Sequence, residues 1–386
     1  MKSDLKKFLL ASAFLGVALG INSAIFNNYL SDVFQITIGQ RTLLEFPREL
    51  PGFLVVFVTG FLYFLGDVRI AAIANILAAA GLMGLGYLSG EFGFMVGWMT
   101  LFSMGQHLYM PVASNIGMNL AEDGNYGKVL GRINGINTAT FLVTSLVIAG
   151  IFKWFKIEYH IAFAIQSLAY LAAAITIFTM TPQKVIHKGF KWVMKKEYNL
   201  YYMLCVVFGA RKQIFITFGP WVLIKVFHQG VSTFAILGFV VAAIGIYSNP
   251  FIGHLIDRWG EKFVLAAEAI LLIFVCAGYG LSVWIFGDTH TALFVVLACF
   301  VIDQVLVSVG MARSTYLKKI AVDNEDVYPT LSLGISMDHL VAMIIPWFGG
   351  LLWTLAGYEW VFLCGAGIAC VNFILTRFIK IPAKVA

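Results

Sequence analysis

The sequence contains little charge for its length. Only 12% of its 386 residues are Asp, Glu, Lys or Arg, whereas a soluble domain carries about 25%. Hydrophobic residues make up 60% of the chain, and the stretches between the long apolar runs are short. This scarcity leaves no room for a separate soluble domain and indicates a polytopic membrane protein.

The motifs of soluble enzymes are also absent. The chain has no Gly-Lys-Ser phosphate loop, which argues against ATP hydrolysis, and no nucleophile elbow. We therefore expect no enzyme activity, no catalytic residues, no metal site, no cofactor and no nucleic-acid partner. The five cysteines fall in apolar runs without the spacing of metal ligands: Cys205, Cys276, Cys299, Cys364 and Cys370.

What the sequence does contain is a series of twelve apolar segments. Each is close to the roughly 20 residues that a helix needs to cross a bilayer. We interpret the first as a span that is retained in the chain, although the lysines before it resemble those of a signal peptide. The approximate segments are 8–30, 43–66, 69–89, 92–117, 130–152, 159–180, 199–224, 231–255, 263–286, 291–312, 329–354 and 359–379.

Lysine and arginine in the loops predict the orientation of these spans. Most of them, Arg313 included, fall on the side that carries both termini, and few fall on the opposite side. The positive-inside rule places the basic side in the cytoplasm. We therefore expect a multi-pass protein of the cytoplasmic (plasma) membrane with both termini cytoplasmic.

The longest loop divides the chain into two related halves. We predict an N-terminal six-helix bundle over 1–183, a basic cytoplasmic linker over 184–197 and a C-terminal six-helix bundle over 198–386. Gln106 in the fourth span matches Gln304 in the tenth at an offset of 198 residues. Short matches at similar offsets in other spans indicate a parallel internal repeat.

The loop between the eighth and ninth spans carries a recognisable pattern. Its residues 253–262 read Gly-His-Leu-Ile-Asp-Arg-Trp-Gly-Glu-Lys, which resembles the G-x-x-x-D-R-x-G-x-K signature of the major facilitator superfamily. The resemblance implies a latch that stabilises one side-open state; the alternative is an ordinary solvated loop. The predicted latch residues are Gly253, Asp257, Arg258 and Gly260. The corresponding first-half loop, 60–69, is a weaker copy without an Asp-Arg pair or a second Gly.

This resemblance extends over the whole chain through the six-plus-six plan. It implies an all-α fold of 12 transmembrane helices in two pseudo-symmetric bundles. It also implies that spans 1, 4, 7 and 10 line a central path for a solute. We expect a monomer whose partners are a small-molecule substrate and the lipid bilayer.

Polar residues near the middle of the apolar segments mark the candidate solute path. Arg211 lies at the midpoint of a span about 43 Å long, where a charge costs about 2.5–3.5 kcal/mol on insertion scales. Adjacent helical residues point about 100° apart, so Arg211 and Lys212 do not both face the path. We select Arg211 for substrate binding, since a guanidinium can grip a carboxylate or phosphate through two bonds.

Other midplane groups complete the predicted site. The residues expected to assist substrate binding are Gln213, Gln304, Asn22, Gln106 and His107. Asp303, Asp338 and His339 are expected to couple proton movement, because carboxylates and imidazoles change protonation with their surroundings. The alternative is static: Arg211 and Lys212 neutralised by Asp303 and Asp338, with both histidines structural.

Charged residues also open the second span. Arg41, Glu45, Arg48 and Glu49 share one helix face at the outer interface. They suit either a structural ion-pair network or an extracellular gate, and we assign Arg48 and Glu49 to the predicted gating residues.

The leading hypothesis is a secondary active transporter that moves a small organic solute with an anionic group by alternating access. A proton gradient would drive it. One alternative is a broad-specificity (multidrug) proton-antiport pump for amphiphilic or cationic compounds. The alternative of another class is a non-transporting membrane receptor or scaffold.

Overall fold

The fold is all-α throughout the described part of the chain. A computed structural model describes residues 2–120, 126–155, 157–182, 194–287 and 290–381, and these contain no strand. Eight of the described helices are long and apolar enough to cross a membrane. The all-helical membrane fold is thereby confirmed, whereas the count of twelve spans stays a prediction.

Long helices follow one another with short connections. Short 3-10 turns lie at Tyr63–Leu65, Lys196–Tyr198, Val307–Val309 and Asn324–Asp326. The helices are α1 (Lys2–Asp32), α2 (Ile38–Leu43), α3 (Glu45–Leu62), α4 (Asp67–Tyr87), α5 (Phe92–Asn119), α6 (Tyr126–Trp154), α7 (Tyr159–Phe178), α8 (Asn199–Lys225), α9 (Val231–Phe286), α10 (His290–Leu306), α11 (Gly310–Ile320), α12 (Val327–Ala356) and α13 (Tyr358–Arg377).

Helix α9 is in fact two helices joined at a glycine. Its 56 residues would extend about 84 Å, far more than the roughly 30 Å of a bilayer core. Gly260 interrupts it with φ 79° and ψ 164°, a left-handed backbone conformation that favours glycine. Gly66 has nearly the same angles, φ 75° and ψ 154°, before α4. The first-half loop therefore does keep a second glycine, which we had not recognised from the sequence.

The chain divides into two compact units. Unit 1 comprises Met1–Gln35, Pro47–Gly189 and Gly230–Ala242, and unit 2 comprises Ile36–Phe46, Phe190–Gln229 and Ala243–Ala386. Each unit includes one short segment from the other sequence half. Most of the predicted linker 184–197 lies outside the described residues, and the predicted domain boundaries stay a prediction.

The two exchanged segments begin at equivalent strained positions. Gln35 (φ 48°) precedes the segment that joins unit 2, and His228 (φ 55°) lies just before the segment that joins unit 1. They are the only non-glycine residues with positive φ in the described ranges. A residue with a side chain costs about 1–2 kcal/mol in this left-handed conformation. Contacts with the surrounding structure must therefore hold the backbone at Gln35 and His228.

In unit 1, α4 packs against α5 and α7, while α1 packs against α6 and α7. In unit 2, α8 contacts α10, α11, α12 and α13. A Cβ added to Gly209 of α8 would lie 2.5 Å from Oδ1 of Asp338 and 3.0 Å from its Cα. This close approach brings the charged middle of α8 against α12.

Helix α8 also contributes aromatic side chains to the core of unit 2. Phe215 lies edge-on to the rings of Tyr279 and Phe362, and those two rings stack 4.4 Å apart. All three are buried. The packed rings fix the axial rotation of α8 and hence the directions of its charged residues.

Candidate functional site

A buried ionic triad lies within unit 2. Arg211 of α8 donates from Nη1 to Oδ1 of Asp303 on α10 at 2.8 Å and from Nη2 to Oε1 of Glu268 on α9 at 2.6 Å. None of the three side chains is more than 2% exposed. Burial of this kind requires paired charges, since an isolated ion is costly away from water. The guanidinium is therefore committed to two carboxylates at once.

Lys212 makes a second ion pair on another face of α8. Its Nζ lies 2.5 Å from Oδ2 of Asp338 on α12, and the two side chains are 18% and 16% exposed. Oδ1 of Asp338 is buried and has no hydrogen-bond partner within the described ranges. The Lys212–Asp338 pair is thus partly accessible to solvent, and one carboxylate oxygen of Asp338 lacks a hydrogen-bond donor.

Three cations surround the ring of Phe208. The Cζ atoms of Arg211 and Arg313 lie 5.2 Å and 3.3 Å from its centroid, and Nζ of Lys212 lies 5.8 Å away. An aromatic face attracts cations at these distances. Arg313 of α11 is only 8% exposed, although its position in the sequence placed it among the loop cations.

The remaining predicted binding groups of unit 2 have local partners. Gln213 is buried and donates to Oγ1 of Thr217 at 3.0 Å. Gln304 donates to Oδ2 of Asp303 at 3.2 Å, beside the triad. His339 follows Asp338 on α12 and is half-buried. The structure therefore places Gln304 and His339 next to the two ion pairs, and Gln213 in the helix core.

The predicted binding residues of unit 1 each have a different environment. Gln106 donates to the hydroxyl of Tyr170 at 3.2 Å, which ties α5 to α7. Nδ1 of His107 lies 2.9 Å from the carbonyl oxygen of Ser103. Oδ1 of Asn22 is buried without a described partner. Asn22 thus keeps a free acceptor, whereas Gln106 has a structural contact.

The predicted outer gate contains two short-range ion pairs. In unit 1, Nη2 of Arg48 lies 2.9 Å from Oε1 of Glu49, and Ser103 donates its hydroxyl to the Arg48 carbonyl. In unit 2, Arg41 pairs with Glu45 one turn later. These contacts support the structural interpretation of the four charges, and a gating role for Arg48 and Glu49 stays a prediction.

The predicted latch residues lie around the glycine break of α9. Asp257 and Arg258 are exposed, and neither pairs with an oppositely charged residue of the described chain. Gly253 lies four residues earlier in the same helix. The carboxylate that forms an ion pair here is instead that of Glu261, directly after Gly260, whose Oε1 lies 2.7 Å from Nζ of Lys319.

The first half has an equivalent anchor. Asp67 follows Gly66, and its Oδ2 accepts a hydrogen bond from Asn115 of α5 at 2.7 Å. The acidic residue after the left-handed glycine, rather than Asp257, is thus the group that both halves hold in place. The latch function stays a prediction.

A polar cluster fixes the start of α8 outside the apolar segments. Lys195 and the hydroxyl of Tyr198 both donate to Oδ2 of Asp326, and Tyr198 accepts from the amide of Val322 at 3.0 Å. The hydrogen bond to Asp326 raises the pKa of Lys195. Burial is the main cause that raises the pKa of Tyr198. This cluster joins the entry of α8 to that of α12.

Two charged residues of the site were missed from the sequence. Glu268 was not among the expected site residues, and Arg313 was assigned to a loop. The available signal was the same for both: an ionisable residue inside or beside an apolar run needs a partner or water. The identity of that partner depends on helix rotation, which the sequence alone does not specify.

Several solved structures share this architecture. A point variant of the nucleoside transporter NupG superposes with a TM-score of 0.79 at 13% identity, covering 97% of this chain and 99% of that one. A bacterial homologue of the human lysosomal transporter Spinster, inward-facing and occupied, gives 0.75 at 14% identity over 97% and 96%. A D-xylose-proton symporter gives 0.73 at 13% identity over 97% of both chains. Identities this low show the shared fold alone.

The sequence itself identifies the family. Residues 8–321 match the family model described as the Major Facilitator Superfamily. The chain therefore belongs to the major facilitator superfamily, and it is a membrane transporter for a small molecule rather than an enzyme. No curated protein sequence matches it.

Proposed function

We propose that the protein is a proton-coupled secondary transporter for a small organic solute with an anionic group. The observation that carries this proposal is the partly exposed ion pair of Lys212 and Asp338, 2.5 Å apart in the middle of unit 2. An ion pair that retains exposure can exchange its partners, whereas the Arg211 triad is closed on all sides.

The chemistry of this pair supports coupling. A substrate carboxylate that reaches Lys212 competes with Asp338 for the ammonium group. The displaced Asp338 carboxylate then lacks a counter-ion in a region of low dielectric and becomes a proton acceptor. Substrate anion and proton would consequently be bound together, and the charge inside the protein would remain balanced.

The charged groups around Asp338 are consistent with this exchange. Lys212 faces it from α8, Arg313 acts on it from α11 beyond ion-pair distance, and His339 adjoins it on α12. Binding at Arg211, our hypothesis from the sequence, is less favoured. A ligand there would have to displace two buried carboxylates rather than one accessible carboxylate.

The structure offers less support for the alternative of multidrug efflux. That alternative requires a carboxylate available to lipophilic cations, but Asp303 is held by Arg211 and Gln304, and Asp338 is paired with Lys212. Membership of a transporter superfamily likewise disfavours a scaffold without transport.

Proteoliposomes test the proposal directly. The lumen would contain the pH indicator pyranine, and gluconate, succinate or glutamate would be added outside. We expect at least one anion to acidify the lumen with the wild-type protein, because the proton and the anion enter together. Asp338→Asn should abolish the acidification while exchange of the labelled anion across the membrane continues.

The control is Asp323→Asn, the same chemical change at an exposed turn of unit 2. It should behave as wild type. Undiminished acidification with Asp338→Asn would contradict the coupling role. Transport of tetraphenylphosphonium, with none of the three anions moved, would support the efflux alternative instead.

A further inference from the structure

Arg313 is a buried cation without an ion-pair partner among the described residues. It is 8% exposed, and within the described ranges it makes no hydrogen bond and no ion pair. Its guanidinium nitrogens retain a small contact with solvent. A buried guanidinium almost always has acceptors, because its desolvation is costly. An accessible and unpaired guanidinium at this depth therefore points to a ligand that supplies those acceptors.

The distribution of charge in unit 2 shows why Arg313 is left over. Three cations and three carboxylates occupy this region, but Arg211 takes two carboxylates and Lys212 takes the third. Glu268 and Asp338 act on Arg313 only over distances longer than an ion pair. The charges of these six groups sum to zero, yet Arg313 has no ion-pair partner among the described residues.

Phe208 holds this guanidinium in place. The Cζ atom of Arg313 lies 3.3 Å from the ring centroid, so the planar group stacks on one aromatic face. Stacking satisfies the faces of a guanidinium but leaves its in-plane N–H donors free. Those donors match the two oxygens of a carboxylate in parallel hydrogen bonds.

We propose that Arg313 is the residue that binds the carboxylate of the transported solute, which is an organic monoanion. This inference rests on the proposed function. Lys212, within 6 Å of the same ring, would then serve as the exchange partner for Asp338 rather than as the main anchor. One free positive charge is suited to one negative charge, which is why a monocarboxylate fits better than a phosphate ester.

Thermal unfolding of the purified protein with matched ligand pairs tests the assignment. Gluconate is compared with the neutral sorbitol, and nicotinate with nicotinamide, at a fixed pH. We expect a carboxylate to raise the unfolding temperature of the wild type and its neutral analogue not to do so. Arg313→Gln should bind that carboxylate at least about tenfold more weakly, as expected for lost hydrogen bonds to a charged group, and Arg313→Lys should be intermediate.

A structural role for Arg313 predicts a different result. If it only neutralised the Arg211 triad from a distance, Arg313→Gln would lower the unfolding temperature without any anion. If it is a binding residue, the unliganded variant should be as stable as wild type or more stable, since an unpaired buried charge is removed. The exposed Lys318 on the same helix supplies the control, and Lys318→Gln should leave binding unchanged.

The proposal fails if Arg313→Gln is stabilised by the same carboxylate as strongly as wild type, or if no carboxylate stabilises wild type. Inorganic phosphate acting in place of the carboxylates would assign the site to a different anion and overturn the monocarboxylate class. This readout needs no proton gradient. Asp338→Asn should still be stabilised by the carboxylate, so failure of coupling and failure of the Arg313 site are distinguishable.

Discussion

Arg211 and Glu268 form a 2.6 Å ion pair between α8 and α9, and both side chains are inaccessible to solvent. Asp303 shares the same guanidinium. The contact makes Arg211 part of the internal support of unit 2. It also explains how a helix can carry a charge at its midpoint without opening that charge to a solute.

A variant that removes one charge of this triad should be less stable than a variant that removes all three. Arg211→Met leaves two buried carboxylates without a cation and should cost roughly 3–5 kcal/mol. The triple variant Arg211→Met, Glu268→Gln, Asp303→Asn should lose much less, because neither buried carboxylate is left ionised without its cation. Thermal unfolding in detergent gives the comparison. Equal losses in the single and triple variants would show that charge pairing is not the source of the stability.

The left-handed glycine of α9 leads to a second prediction. Gly260→Ala places a Cβ at φ 79° and should destabilise the protein by about 1–2 kcal/mol. Gly245 of the same helix is the control, because its backbone is helical and an added Cβ meets nothing nearer than 3.9 Å. Gly245→Ala should be neutral or stabilising. Gly260→Ala should therefore lose stability whereas Gly245→Ala should not, and a similar loss in both would refute the conformational argument.

The positive φ angles of Gln35 and His228 predict that glycine stabilises the protein at these two positions. Gln35→Gly and His228→Gly relieve a side chain at positive φ, although the more flexible unfolded chain offsets part of the gain. We expect up to about 1 kcal/mol of stabilisation for each. Gln35→Ala keeps the Cβ and should give none. A loss of about 1 kcal/mol, as for glycine in a helix interior, would mean that positive φ is not strained at these sites.

The sequence predicted the membrane class and the family correctly, but it assigned the charges of unit 2 only in part. Apolar runs and the Gly-x-x-x-Asp-Arg-x-Gly pattern depend on local spacing and can be read directly. Arg211 and Lys212 pair with carboxylates on different helices, since neighbours on a helix diverge by about 100°. Which of the two faces the core depends on how α8 packs against four other helices.

Local sequence patterns likewise do not specify which charged residues form ion pairs. The static alternative named Asp303 and Asp338 as partners of Arg211 and Lys212, and the structure has both contacts. It did not include Glu268, because the family resemblance places the ninth span outside the set that lines the path. It did not include Arg313, because proximity to a loop suggested a solvated cation.

The sequence by itself therefore determined that this protein is a helical membrane transporter, because lipid forces long apolar helices and allows few internal charges. Tertiary structure alone decided which of those charges neutralise one another. Close contact at Gly209 and the packed rings beside Phe215 set the rotation of α8, and that rotation buries Arg211 and partly exposes Lys212. It also brings Phe208 against the guanidinium of Arg313.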